Sequence, residues 1–283
     1  MRRVLIAGCG YVGTAAADLF HAGGWLVEGW TNSPASAAQL LTKPYPVNPV
    51  DLTDRHQINN RPPNFDLVIH CASTRGGDVD KYREVYYGGA QNLLDRFVGS
   101  TLLFTSSTSV YAQKQAERVN EQSPAEPQHE KGRILRETEE LVLGRGGIVA
   151  RLAGIHGPAR SAVLTGFLRG SAVIDPENDR FMNQIHRDDV ATALVLLADT
   201  PPRQTPIYNV VDDVPILRSE CYSWLAQKFG RPLPPRGDAS GSGKRGRSNK
   251  RVSNTKLREC GWTPRYPTFA AAMEESILPS FGL

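Results

Sequence analysis

Three glycines, Gly8, Gly10 and Gly13, stand in G-x-G-x-x-G spacing within VLIAGCGYVG, between four apolar residues from Val4 and the helix-like TAAADLFHAG. Glycines so placed let the backbone turn tightly, admit a pyrophosphate against its amides and pack a helix onto a strand. The predicted ligand is a dinucleotide. Its phosphates would sit over a helix starting near Tyr11 and Val12, where unpaired N–H groups and the helix dipole favour negative charge. A second group is the hydroxyl run Thr105 to Ser109 after the apolar Leu102-Leu103-Phe104. At the carboxyl end of a strand these hydroxyls form a rim, with Ser107 and Ser109 able to hold a substrate oxygen; the plainer alternative is a capping turn. The third is Gln128-His129-Glu130-Lys131-Gly132-Arg133. On a helix, His129 and Arg133 share one face, giving a base that titrates near neutrality beside a cation. Lys131 is the other candidate proton carrier, if burial lowers its pKa; the plain alternative is a solvated charged face.

The elements that must position these groups follow from hydrophobic patterning. Strand-like runs begin near residues 4, 25, 66, 102 and 148 and alternate with helical segments, predicting an α/β fold with a doubly wound parallel sheet. The run 65–73 ends in the small residues Cys71, Ala72 and Ser73, which suit close approach of a cofactor at the sheet's crevice. His70, just before them, reads as a hydrogen-bonded core histidine. The run 25–30 ends in Thr31, Asn32 and Ser33, with no acid to repel a 2′-phosphate and three groups able to donate to it. The coenzyme reading therefore leans to NADP over NAD. Helices are predicted over 79–98 and 126–143. The expected organisation is a dinucleotide-binding domain, 1–153 plus 184–207, and a smaller substrate domain, 154–183 plus 208–283, with the cleft between them. The stretch 154–180 reads as irregular, offering Phe167, Phe181, Arg160, Arg169 and Arg180 to an anion or sugar. The segment 231–251 is rich in Pro, Gly and Ser, and its cations Arg236, Lys244, Arg245, Arg247, Lys250 and Arg251 could close over a phosphate-bearing substrate.

Composition narrows the class. The chain has 283 residues, 40% apolar and 22% charged, and a net charge of +4, too small to argue for nucleic acid. No window approaches the ~18 apolar residues of a membrane span. The apolar run after Arg2-Arg3 ends at the glycines, short of the ~7 residues of an export signal. Cys9, Cys71, Cys221 and Cys260 are scattered without metal-ligand spacing, so no metal is expected and reduced thiols in a cytoplasmic protein are.

The succession GCGYVG, DLT at Asp51, VIHCAS, TSSTSVYA, ARLAGIHGP, IHRDDVATAL, YNVVDD and RVSNTKLRECGWTPRYPTF resembles the extended short-chain dehydrogenase/reductases, the NAD-dependent epimerase/dehydratase group acting largely on nucleotide sugars. The resemblance implies a catalytic role for Ser107, adenine contacts at Asp51 and Leu52, and a cofactor wall at Ala72 and Ser73. It further implies that Ile155 and His156 flank the nicotinamide, that His186, Asp188 and Asp189 are structural and near the substrate, and that Arg251 meets a substrate diphosphate. A dimer through the helices near residues 85 and 135 is also implied. The decisive departure is the Tyr-x-x-x-Lys pair: none of the nine tyrosines has a lysine four residues on. Aligning Glu139 with the family's glutamate puts Lys131 and Leu135 at the pair, and Tyr86 where a supporting asparagine is usual. Tyr111 or Tyr86 could enter from another element. The expectation is thus NAD(P)-dependent oxidation, reduction, epimerisation or dehydration of a nucleotide-sugar-like substrate, or else a coenzyme-binding sensor without turnover.

Overall fold

The computed structural model describes residues 1–74, 76–200, 205–237 and 248–283. Lys244, Arg245 and Arg247 lie outside them. The strands are β1 Arg3–Ala7, β2 Leu26–Thr31, β3 Val47–Pro49, β4 Leu67–His70, β5 Thr101–Ser107, β6 Glu117–Val119, β7 Ile148–Leu152, β8 Gly154–His156, β9 Phe181–Met182, β10 Gln184–His186, β11 Ile207–Val210, β12 Ile216–Leu217 and β13 Lys250–Val252. The helices are α1 Tyr11–Ala22, α2 Pro34–Ala38, α3 Arg55–Asn59, α4 Val79–Arg83, α5 Gly89–Arg96, α6 Glu130–Gly144, α7 Ala162–Leu168, α8 Arg187–Asp199, α9 Arg218–Phe229, α10 Thr255–Arg258, α11 Phe269–Ala272 and α12 Leu278–Ser280.

Seven strands make one sheet in the order β11-β7-β5-β4-β1-β2-β3, every neighbouring pair parallel. This is the doubly wound α/β fold that the alternation predicts. From β1 the chain builds outward to β3, then returns beside β1 with β4 and builds the other way. Between β1 and β4 the successive crossovers diverge, and a crevice opens at the carboxyl ends of the strands. Both faces of the sheet are covered, so Val4 to Ala7 and Leu67 to His70 are buried without alternation. The short strands pair two by two: β8 with β10 and β6 with β13 in parallel, β9 with β12 antiparallel.

Several local expectations changed. The predicted helix 126–143 starts at Glu130, because the His129 side chain caps it: Nδ1 accepts the Gly132 N–H at 2.9 Å. His129 has extended backbone and Arg133 donates to the Gln128 carbonyl at 3.2 Å, so the two do not share a helical face. The predicted helix 79–98 is one helical run, α4 to α5 through a π-turn at Glu84–Gly88. The stretch 154–180 is not irregular, since it holds β8 and α7. Phe167 stands three residues after Leu164 and four after Val163, which puts all three on one face of α7. Their cluster includes Cys221 and Leu225 of α9, Phe269 and Ile277, so Phe167 is core and not a ligand contact.

One buried polar network crosses the larger core. Glu139 of α6 is fully buried and accepts from Arg151 Nε at 3.0 Å, Arg151 Nη2 at 2.7 Å and Ser106 Oγ at 2.6 Å, with Arg136 also bonded to it. Arg151 Nη1 donates to Tyr111 Oη, and Tyr111 donates to Asn209 Oδ1, each at 2.9 Å. Burial alone would lower the Arg151 pKa, yet Glu139 and Tyr111 leave it raised. Removing one partner of such a pair strands the other charge in the core. Glu139→Gln is expected to cost about 3 to 5 kcal/mol of unfolding free energy. Urea denaturation measures it, and a loss below about 1 kcal/mol would refute the pairing as a structural anchor.

Candidate active site

The glycine turn is built by steric necessity. Gly8 has φ +111°, and a Cβ there would lie 2.2 Å from the Ala72 backbone nitrogen; a Cβ on Gly13 would lie 2.3 Å from the Gly8 carbonyl oxygen. The amides of Gly8 and Cys9 both donate to the Trp30 carbonyl, at 3.1 and 2.7 Å, which pins the turn to β2. No side chain caps the amino end of α1 and no acid stands in its first turn, so the amides of Tyr11, Val12 and Gly13 begin the helix without intrahelical partners. Bare backbone, a close wall at Cys71 and Ala72, and a helix dipole together fit a diphosphate. Cys71 Sγ donates to the Gly8 carbonyl at 3.2 Å, and burial pushes its thiol well above the usual range, so it is a wall residue and no nucleophile.

Two strands from β1 lies β5, about 10 Å away at the usual strand spacing. Its hydroxyls are sorted by the pleat. Thr105 Oγ1 donates to the His70 carbonyl at 3.1 Å, and Ser106 Oγ is spent on Glu139. Ser107 is half-buried at the sheet edge, and its oxygen accepts the Ser109 N–H at 3.1 Å, starting a one-turn 3-10 helix at Thr108–Val110. With its oxygen engaged in that way, the Ser107 hydroxyl keeps its hydrogen free to donate, which is what orienting a hydroxyl or carbonyl oxygen requires.

Tyr111, a candidate to enter as acid, is fully buried between Arg151 and Asn209, and burial raises its phenol pKa. It belongs to the scaffold. Tyr86 sits on the π-turn, its ring 4.2 Å from that of Tyr82 and 6.3 Å from that of His70. Lys131 Nζ donates to the Gly77 carbonyl at 2.7 Å, reaching the loop that follows Cys71-Ala72-Ser73. His70 is core, its Nε2 within 3.1 and 3.3 Å of the Val85 and Tyr86 carbonyls.

Around the adenosine end, Thr31 Oγ1 donates to the Ser33 carbonyl at 3.3 Å, and Ser33 Oγ caps α2 by accepting the Ser36 N–H at 3.3 Å. Asn32 alone of the three is exposed. Asp51 Oδ1 accepts from the Thr53 N–H and hydroxyl at 2.9 and 2.8 Å, and the Leu52 carbonyl accepts from Asn92 at 3.0 Å, so this corner is rigid. Ile155 and His156 lie on β8, directly beside Ile185 and His186 of β10. On the substrate side the Asn249 N–H donates to the Gln113 carbonyl at 2.8 Å, tying β13 to the segment after Ser109. Arg251 Nε donates to the Ala116 carbonyl at 2.9 Å and its guanidinium lies 5.3 Å from the Phe181 ring centre. Lys250 is buried, which pulls its pKa down to about 8. Arg169 stands exposed at the end of α7. The Glu139–Arg151–Tyr111 network was not foreseen, although a lone arginine inside the apolar Ile148–Leu152 strand was its signal.

A glycine turn after β1, a crevice at the carboxyl ends of a seven-stranded doubly wound sheet and a serine at the end of β5 make up an architecture shared with epimerases and dehydratases of known structure. The pattern of the NAD dependent epimerase/dehydratase family matches residues 4–133. Protein YeeZ of Escherichia coli K12 is 29% identical over 279 residues, covering 94% of this chain and 97% of YeeZ. Among solved structures, a Methylobacillus flagellatus protein assigned provisionally to the NAD-dependent epimerases/dehydratases is 25% identical with TM-score 0.77, covering 100% of this chain and 99% of that one. UDP-glucose 4-epimerase of Thermotoga maritima, solved with UDP-glucose, reaches TM-score 0.84 at 17% identity with 100% and 99% coverage, a likeness of fold. No helix among the described residues is long and apolar enough to cross a membrane.

Burial holds His70, His156 and His186 neutral, with pKa values lowered to about 4, 3 and 4. An unfolded histidine titrates near 6.5, so below that pH the unfolded chain binds protons that the fold refuses and stability falls, by up to about 1.4 kcal/mol per pH unit for each. Asp212 acts oppositely: burial raises its pKa well above the usual value, so its contribution is complete below about pH 3.9 and is lost as pH rises through the folded pKa. In urea melts between pH 6.5 and 5, His156→Gln is expected to reduce the slope of stability against pH and Asp212→Asn to increase it. Slopes equal to the wild type in both variants would contradict these assignments.

Proposed function

We propose that the chain binds a nicotinamide dinucleotide over Gly8, Gly10, Tyr11, Val12 and Gly13 and uses it to oxidise, reduce, epimerise or dehydrate a nucleotide-sugar-like substrate at a hydroxyl or carbonyl carbon. The observation that carries this reading is the uncapped amino end of α1 facing the Ala72 wall, two strands from the Ser107 hydroxyl. Thr31, Asn32, Ser33, Asp51 and Leu52 would border the adenosine, Cys71, Ala72 and Ser73 the middle of the coenzyme, and Ile155 and His156 the nicotinamide. When bound, the nicotinamide supplies reversible hydride transfer. The protein's own part is to hold the substrate oxygen on Ser107 and to move a proton, for which His129 and Lys131 are the candidates. His129 Nδ1 is engaged in capping α6, so its Nε2 would carry the proton. Ser109, Arg169 and Arg251 would contact a phosphate-bearing substrate.

The coenzyme is NAD or NADP. Support for NADP narrows to Asn32, since the Thr31 and Ser33 hydroxyls have partners of their own; the family description favours NAD. The division into 1–153 plus 184–207 and 154–183 plus 208–283 is supported by a separate apolar cluster around α7, α9 and the C-terminal helices, although Tyr208, Val210, Val211, Val252, Leu257 and Trp262 pack into the larger cluster. A homodimer would use the helices near residues 85 and 135, and a cytoplasmic setting suits the free thiols. A second reading, a coenzyme-binding sensor without turnover, is favoured by the absent Tyr-x-x-x-Lys pair and by the buried position of Leu135.

Calorimetry with NAD(H) and NADP(H), followed by absorbance with a panel of nucleotide sugars, separates these readings. Turnover that falls about 10²- to 10⁴-fold in Ser107→Ala is expected of the enzyme. Tight coenzyme binding with no turnover on any sugar would establish the sensor instead, and no affinity for either coenzyme would overturn both.

A further inference from the structure

We propose that Arg160 and Arg187, both held against the ring of Tyr11, clasp the diphosphate of the bound dinucleotide. This rests on the coenzyme reading above and adds two side chains to a site otherwise made of backbone. Tyr11 is the first residue of α1, immediately after Gly10, so its side chain springs from the turn whose amides would receive the phosphates. The Arg160 and Arg187 guanidinium carbons lie 5.0 and 5.1 Å from that ring's centre, within cation–π range. A guanidinium resting on a ring is oriented while its N–H groups stay free, and that planar fork matches paired phosphate oxygens.

The loop that brings Arg160 here is shaped for the purpose. Gly157 and Arg160 exchange two backbone hydrogen bonds of 2.9 Å, and between them Ala159 adopts φ +56°, an uncommon conformation for a residue with a side chain. The Ala159 N–H donates to Ser280 Oγ at 2.8 Å, and Tyr11 Oη donates to the Pro158 carbonyl at 3.0 Å. A Cβ on Gly157 would lie 2.7 Å from Tyr11 Oη. The turn is thereby fastened to the amino end of α1 on one side and to the C-terminal helix on the other.

Charge supplies the second argument. Arg187 opens α8, where a cation opposes the helix dipole. Its Nε donates to Asp188 Oδ1 at 2.7 Å. Asp189 is occupied with the amides of Arg265 and Tyr266, at 2.7 and 3.0 Å. Arg160 is exposed and pairs with no carboxylate among the described residues. Two guanidinium groups and the amino end of α1 thus gather at one ring with only Asp188 paired to them, an imbalance that a diphosphate would correct.

Calorimetry at two salt concentrations on wild type, Arg160→Met, Arg187→Met and Asp188→Asn tests this, with NAD, ADP and UDP-glucose as probes. Each arginine variant is expected to weaken NAD and ADP about tenfold and to flatten the salt dependence, while Asp188→Asn tightens both. Circular dichroism should be unchanged, since Arg160 is exposed and methionine keeps the Arg187 stem. Folded variants that bind NAD and ADP as the wild type does would overturn the clasp and leave the coenzyme reading intact. Loss confined to UDP-glucose would also overturn it, assigning the cations to the substrate. A wild-type protein with no affinity for NAD, NADP or ADP would remove the coenzyme reading itself.

Discussion

The contact on which the rest of the molecule depends is the buried pair Glu139–Arg151. Neither charge has access to water, so each needs every hydrogen bond it can make, and together they recruit Ser106, Arg136, Tyr111 and, through Tyr111, Asn209. These residues come from α6, β5, β7, the turn after β5 and β11. A pair of this kind adds less to stability than apolar packing would, because desolvating two ions is costly. Its consequence is geometric: the carboxyl ends of three adjacent strands are tied to one helix in one register.

That register sorts the hydroxyls of the Thr105 to Ser109 run. Successive side chains on a strand face opposite ways, so with Ser106 committed to Glu139, Ser107 must face the other direction, toward the crevice. The same network takes Tyr111 out of solvent and away from chemistry. At the start of α6, Lys131 is bound to the Gly77 carbonyl, and the His129 ring covers Gly132 as it caps the helix.

The second lobe is fastened to the first at the crevice. The Gly157–Arg160 turn lies on Tyr11, β13 pairs with β6, and Asp189 of α8 holds the backbone at Arg265 and Tyr266.

The sequence by itself determined the doubly wound sheet, because buried parallel strands must be short apolar runs, and it determined the tight turn after β1, because only glycine fits where a Cβ would strike Ala72 or Gly8. It also marked Ser107, by placing hydroxyls directly after an apolar strand. What it left open was decided by contacts between residues far apart in the chain. His129 could be read as part of a helix face until Gly132 showed it to be the cap, and Phe167 as a ligand contact until α7 packed against α9. Arg151 and Glu139 are 12 residues apart and Tyr11 and Pro158 are 147 apart. Neither spacing carries a periodicity, so only the folded chain could pair them.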